Sequence, residues 1–179
     1  MRSYKTEGII IKRKNFGEAD RILTVFTKKF GKIQIKAIGV RRIVSRRSSH
    51  IELLNYSQVT IYKGKSLPLL TEVETVNNFK DIKKELKKIG VAYHICELID
   101  SLCPENQENE QVFELLRNIL EKVSVSEETE DLIKNFEIKL LSILGFYNLL
   151  DGKVDNPSQI IEYLLEKKLK ARQIMPHFS

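Results

Sequence analysis

Apolar and polar positions repeat with a period of two over the first 76 residues and with a period near 3.6 thereafter. Ile9, Ile10 and Ile11 form a β-branched run that stops at Lys12, Arg13 and Lys14, and Asn15, Phe16, Gly17 and Glu18 supply turn residues. Residues 22–27 run apolar and β-branched again, and Phe30, Gly31 and Lys32 make the next turn. Ile33 and Ile35 then alternate with Lys32, Gln34 and Lys36, the pattern of a strand with one buried face and one wet, positive face. Residues 52–62 predict a fourth strand, Lys63, Gly64, Lys65 and Ser66 a hairpin-like link, and residues 69–76 a fifth, with Pro68 at its start or edge. Five short strands in so few residues predict a small closed or nearly closed barrel, which removes exposed edges. Residues 39–50 carry Arg41, Arg42, Arg46 and Arg47, have no strand period, and predict a mobile loop.

After residue 77, Ile82, Leu86, Ile89, Tyr93, Cys96, Ile99 and Cys103 recur at helical spacing. They predict one long amphipathic helix, starting near Asn78 and Asp81 and stopped by Pro104. A second helix carries Val112, Leu115, Leu116, Ile119 and Val123. A third begins near Ser126, with acids in its first turn that suit the helix dipole, and runs through Leu132, Ile133, Phe136, Leu140, Leu141 and Leu144 to Gly145. Asn156, Pro157, Ser158 and Gln159 make a strong start for a last helix bearing Ile160, Ile161, Leu164, Leu165 and Leu169, with Lys167, Lys168 and Lys170 near its end. The architecture expected is α+β in two domains: a barrel over residues 1–77 and an all-α domain over residues 78–179.

Charge sharpens this division. Residues 1–80 hold 17 Lys/Arg against 6 Asp/Glu, whereas residues 81–179 hold 13 against 18. Such asymmetry is the footprint of a polyanion-binding module joined to one with another task. Ordinary solvated lysine is the competing explanation, and the dense clustering of the cations speaks against it. No stretch of 18 apolar residues occurs and the N-terminus lacks the apolar run of a signal peptide, so a cytoplasmic, nucleoid-associated protein with no membrane partner is expected. Cys96 and Cys103 would lie about 10 Å apart on one helix, beyond disulfide reach, and are read as core residues.

Motifs for catalysis are absent: no glycine-rich phosphate loop, no His-Glu-x-x-His and no Gly-x-Ser-x-Gly. Glu18 and Asp20 could be imagined as the magnesium pair of a nuclease, but acids beside a basic turn are usually solvated or salt-bridged. His50, His94 and His177 have no nucleophile to serve and are read as structural or solvent-facing. No catalytic residue, cofactor or metal is expected. Binding groups are abundant instead: Lys12, Arg13, Lys14, Arg21, Lys28, Lys29, Lys32, Lys36, Arg41, Arg42, Arg46, Arg47, Lys63 and Lys65. Among them stand Tyr4, Phe16, Phe30, Tyr56 and Tyr62. Cations displace counterions from phosphates while rings stack unpaired bases, which is the design of a sequence-tolerant single-strand binder. Phe16, in a charged turn, is the best candidate for an exposed stacking platform.

The opening from Tyr4 through Gly8-Ile9-Ile10-Ile11-Lys12-Arg13 to Phe16-Gly17-Glu18-Ala19-Asp20-Arg21 resembles that of the bacterial DNA repair family RecO. The resemblance continues through Phe30-Gly31-Lys32-Ile33, Gly39-Val40-Arg41-Arg42, Tyr62-Lys63-Gly64-Lys65, Glu97-Leu98-Ile99-Asp100 and Leu144-Gly145-Phe146. It implies a five-stranded OB-fold followed by a helical domain. It also implies a recombination mediator that binds single- and double-stranded DNA and anneals complementary strands. The partners it implies are RecR and single-strand-binding protein, and RecA indirectly, by loading onto coated strands. Many relatives carry a four-cysteine zinc cluster soon after the Leu-Gly-Phe position; here Tyr147-Asn148-Leu149-Leu150 follows without cysteine. The chain is therefore expected to be a short form, internally shortened and without zinc. An RNA- or ribosome-associated OB protein remains the alternative from the cations and rings alone.

Overall fold

The structure, a computed structural model, describes residues 2–148, Gly152 and residues 156–166. Five strands, β1 Ser3–Phe16, β2 Asp20–Thr27, β3 Gly31–Ala37, β4 Tyr56–Tyr62 and β5 Leu69–Asn77, close into a barrel in the order β1-β2-β3-β5-β4. Closure depends on the length of β1. Its first half pairs with β4 from Ser3↔Tyr62 to Ile9↔Tyr56, and its second half pairs with β2 from Gly8↔Thr27 to Phe16↔Asp20. A parallel contact, Lys36↔Leu69, seals β3 against β5. Inside lie Ile10, Leu23, Val25, Ile33, Ile35, Val59, Ile61 and Leu70 among others, with Ile33 and Ile35 on the buried face that their alternation predicted.

Three expectations about the barrel change. The basic run does not end β1: Lys12, Arg13 and Lys14 belong to the strand, and Phe16 is its last residue rather than a turn residue. β4 begins at Tyr56 rather than at residue 52, because Leu54 takes a left-handed φ of 73° and breaks the alternation. That segment still docks on the barrel, with Leu54 N–H donating to the Ile10 carbonyl and Ile10 N–H to that of Asn55 at 2.9 and 3.1 Å. Lys32 was expected on a wet face but is 7% exposed. The stretch after Pro104 runs alongside β3: Asn106 N–H donates to the Lys32 carbonyl at 2.8 Å, and Gln34 Nε2 to Glu105 Oε1 at 3.1 Å. Pro104–Phe113 accordingly groups with residues up to Asn78 as one compact unit.

The other unit comprises Phe79–Cys103 and the chain from Glu114. Its helices are α1 Lys80–Lys83, α2 Leu86–Leu102, α3 Glu110–Val125 (whose first turn groups with the barrel), α4 Glu130–Ile143 and α5 Pro157–Leu165. The single long helix expected over this region is thus two, because Glu85 adopts extended dihedrals and interrupts it. Leu86 and Tyr93, counted in its apolar stripe, are exposed, whereas Val91, Ala92, His94, Ile95, Cys96, Leu98 and Ile99 are buried. A helix covered on most sides needs no narrow stripe. α4 starts at Glu130, four residues later than expected, after Thr129 as N-cap. α5 starts where the Asn-Pro signal placed it. Leu169, Lys167, Lys168 and Lys170, expected to extend this last helix, and His177 lie outside the described residues. His94 is fully buried, its Nε2 2.8 Å from Glu137 Oε1, and Ser158 Oγ donates to Glu137 Oε2 at 2.9 Å, so α2, α4 and α5 share one polar network. Cys96 and Cys103 are buried and not disulfide-bonded. Among the described residues no helix is long and apolar enough to cross a membrane.

Candidate nucleic-acid interface

Strand register sorts the cations of the β1–β2–β3 sheet into two faces. Lys14 pairs with Ile22, which pairs with Lys36, so both lysines stand on one outward row, with Phe16 opposite Asp20 beside them. Phe16 is 46% exposed and Lys36 Nζ sits 4.8 Å from its ring centroid, while the same ammonium reaches Asp20 Oδ2 at 3.2 Å. One residue along, Arg13 pairs with Leu23, and Arg21 with Asn15 and Ala37, on the register that faces the core. These two arginines rise where the hairpin runs past the core, and Arg21 Nε donates to Asn15 Oδ1 at 3.2 Å. Partial burial, then the guanidinium groups of Arg13 and Arg41, hold Arg21 below the ordinary arginine value. The guanidinium groups of Arg13, Arg21 and Arg41 thus lie close enough to repel one another.

The arginine loop joins this site. Instead of an untethered segment, residues 38–47 form successive turns: Arg42 N–H donates to Gly39, and Ser45 N–H to Arg42. Val40 is wholly buried and anchors the loop in the core. Arg41 N–H donates to the Ala19 carbonyl at 2.9 Å, and its guanidinium to that of Gly17 at 3.1 Å. Asp20 accepts from Gly39 N–H at 2.8 Å; this bond first, and Lys36 second, hold its carboxyl below the usual aspartate range. Arg47 turns inward and donates to the carbonyls of Ile38 and Leu70. It therefore clips the loop, while Arg41, Arg42 and Arg46 remain exposed. Asp20, which as half of a magnesium pair would need free lone pairs, is the hub that fastens loop to hairpin. Glu18 is exposed on the hairpin turn.

Lys12, paired with Thr24 two residues before Lys14, continues that outward row, whereas Lys28, Lys29, Lys63 and Lys65 stand elsewhere. Lys28 and Lys29 occupy the β2–β3 turn, about 23 Å from the Asp20 end of β2 at ~3.3 Å per residue. Lys28 Nζ lies 3.4 Å from Glu110 Oε1. Lys29 and Lys63 line a cavity of about 620 Å³ together with Glu105, Glu108 and the tilted ring pair Tyr4–Phe30, whose centroids are 4.3 Å apart. The β4–β5 link holding Lys63 and Lys65 returns towards the β3 face, where the Pro68 carbonyl accepts from Lys36 N–H. Tyr56 donates to Glu7 and packs its ring edge against Phe113, and Tyr62 is half-buried, so neither offers a ring as open as Phe16. The hub role of Asp20 and the clipping role of Arg47 escaped the sequence reading, because Asp20 meets Gly39 and Arg47 meets Leu70 across about 20 residues of chain.

Comparison with known proteins matches residues 1–79 to the family model described as Recombination protein O N terminal, and residues 83–160 to Recombination protein O C terminal. The DNA repair protein RecO of Dehalococcoides mccartyi is 38% identical over 143 residues, 80% of this chain and 56% of that protein. That of Symbiobacterium thermophilum is 34% identical over 163 residues, 90% of this chain and 64% of its own length. That of Acetivibrio thermocellus is 35% identical over 147 residues, 82% and 59% respectively. The matched region thus amounts to about three fifths of the length of these relatives.

Proposed function

The chain belongs to the recombination protein O family, and on that premise we propose that it is a non-catalytic DNA repair protein that binds single- and double-stranded DNA and brings complementary strands together. The observation that carries this reading is the convergence of Lys14, Phe16 and Lys36 on the outer β1–β2–β3 face with Arg13, Arg21, Arg41, Arg42 and Arg46 around the adjoining loop. The barrel order β1-β2-β3-β5-β4 supports it, because OB barrels receive oligonucleotides on the β2–β3 face and at the β1–β2 and β4–β5 loops. The mechanism is electrostatic. Two strands repel through their phosphates, and a cationic face that neutralises both lowers the barrier to pairing. Phe16, with Lys36 on one side of its ring, offers the other side to an unpaired base.

In this reading the helical unit docks partner proteins, RecR and single-strand-binding protein directly, so that RecA is loaded onto coated strands at the nucleoid. Fluorescence anisotropy with single-stranded DNA, duplex DNA and structured RNA, together with strand annealing followed by quenching, tests it. We expect micromolar or tighter DNA binding, annealing above the spontaneous rate, and loss of both in the variant Lys14→Ala, Lys36→Ala, Arg41→Ala, Arg42→Ala, Arg46→Ala. Tenfold tighter binding to RNA would replace DNA as the substrate. Cleavage of labelled DNA in magnesium or manganese would make it a nuclease.

A further inference from the structure

Between the arginine pairs of the loop stand two side chains that nothing in the fold explains. Ile43 is 105% exposed and Val44 86%, as open as residues of an extended peptide. They are not at the tip of a floppy segment: Val40 is buried on one side of them, Arg47 is hydrogen-bonded to Ile38 and Leu70 on the other, and the Ser45 N–H to Arg42 carbonyl bond closes the turn that holds them. Both are β-branched, with few side-chain rotamers to lose on contact. Arg41, Arg42 and Arg46 flank them, and Val44 itself lines a cleft of about 380 Å³ with Ile38, Gly39, Arg42 and Arg46. A pair of stiff apolar side chains ringed by guanidinium groups complements a surface on which apolar faces alternate with phosphates. Stacked bases in a nucleic-acid strand are such a surface.

We propose that Ile43 and Val44 form a wedge that inserts against the bases of DNA where a duplex opens into single strands. The proposal rests on the DNA-binding reading and adds to it a preferred substrate, the single-strand/duplex junction. The arginines hold the backbone on either side, and the wedge covers the face of the last base pair left open by its missing neighbour. Apolar wedges of this kind act in other proteins by partly unstacking a base step. The junction is where unstacking costs least, since one side of the terminal pair is already bare.

The test uses the full chain and a partial duplex carrying 2-aminopurine in the base next to the junction, with the double variant Ile43→Ser, Val44→Ser. Wild type should raise 2-aminopurine fluorescence as the base leaves its stack. The variant should lose that rise and bind the junction about tenfold more weakly, equal to ~1.4 kcal/mol. Its affinity for plain single strands and blunt duplex should stay within about twofold, since the arginine contacts remain, and its melting temperature should not move because neither side chain is buried. An unchanged fluorescence rise and junction affinity in the variant would overturn the wedge while leaving DNA binding intact. No binding of any DNA by wild type would overturn the functional reading as well. Binding to phosphatidylglycerol vesicles that the variant loses, with its DNA behaviour unaltered, would overturn the wedge in favour of a membrane contact.

Discussion

The guanidinium of Arg47 donates to two main-chain carbonyls at 2.7 and 2.9 Å, while Arg46, its neighbour in sequence, stays exposed. Arg47→Ala should therefore cost about 1–2 kcal/mol of stability in denaturant titration. Arg46→Ala should leave stability within about 0.5 kcal/mol and weaken DNA binding. Equal losses of stability from the two would show that the clip carries no weight. Asp20 gives a second contrast at this scale. Its carboxyl titrates lower in the fold than in the unfolded chain, so its contribution to stability is fully present above the unfolded value, about pH 4, and is lost as pH falls through the depressed folded value. In thermal melts below about pH 4, Asp20→Asn should shed part of the wild type's acid sensitivity, having no proton to take up. Cys96 is pushed up to about 12, by burial first and by Asp100 second. Its thiol should react with disulfide reagents at neutral pH only as fast as the helical unit opens. The core assignment of this cysteine was legible from helical spacing. The different fates of Arg46 and Arg47 were not, because residue type is silent about which of two neighbouring arginines faces a carbonyl.

At the scale of elements, two turn glycines look alike in sequence and differ in the fold. Gly17 has φ 58° with nothing within reach of an added Cβ, and Gly31 has φ 65° with the Gln107 carbonyl oxygen 1.8 Å from where a Cβ would sit. Gly17→Ala should cost only the left-handed penalty, about 1–2 kcal/mol. Gly31→Ala should cost more than that, at least ~3 kcal/mol, because the 104–113 segment must leave the β2–β3 turn. Comparable melting temperatures for the two variants would mean that this segment does not hold to the barrel. The alternation of apolar residues revealed five strands, and the switch to helical spacing revealed the helical half. What periodicity could not reveal is where an element continues through residues of unfavourable type. β1 runs on through three consecutive cations because β2 supplies hydrogen-bond partners as far as Phe16. Conversely, apolar residues recur every three or four positions across Glu85 although the helix breaks there, which is how α1 and α2 read as one helix.

For the molecule as a whole, charge was the most informative property of the sequence, and the structure adds its geometry. The 17 cations of residues 1–80 do not form one uniform surface. Lys32 is buried, Lys28 faces Glu110 and Arg47 clips the loop, whereas the cations around the β1–β2 hairpin and residues 39–46 share one region. A count of lysine and arginine therefore overstates the number of phosphates that can be met at once. If about five are neutralised on single-stranded DNA, the slope of log K against log salt should be roughly −3.5, at −0.7 per phosphate. A fourfold rise in salt, ~0.6 in log units, then weakens binding by about two decades. Annealing should fade over the same range, since neutralisation drives both. Stacking on Phe16 responds far less to salt and should leave a residual affinity that Phe16→Ala removes. Anisotropy and strand quenching measured across one salt series decide the matter. A slope near −12, at −0.7 for each of the 17, would mean that every cation of the barrel is engaged, including those near Glu105, Glu108 and Glu110. A slope near zero with annealing intact would mean that the converging cations are solvated decoration and that the electrostatic mechanism is wrong.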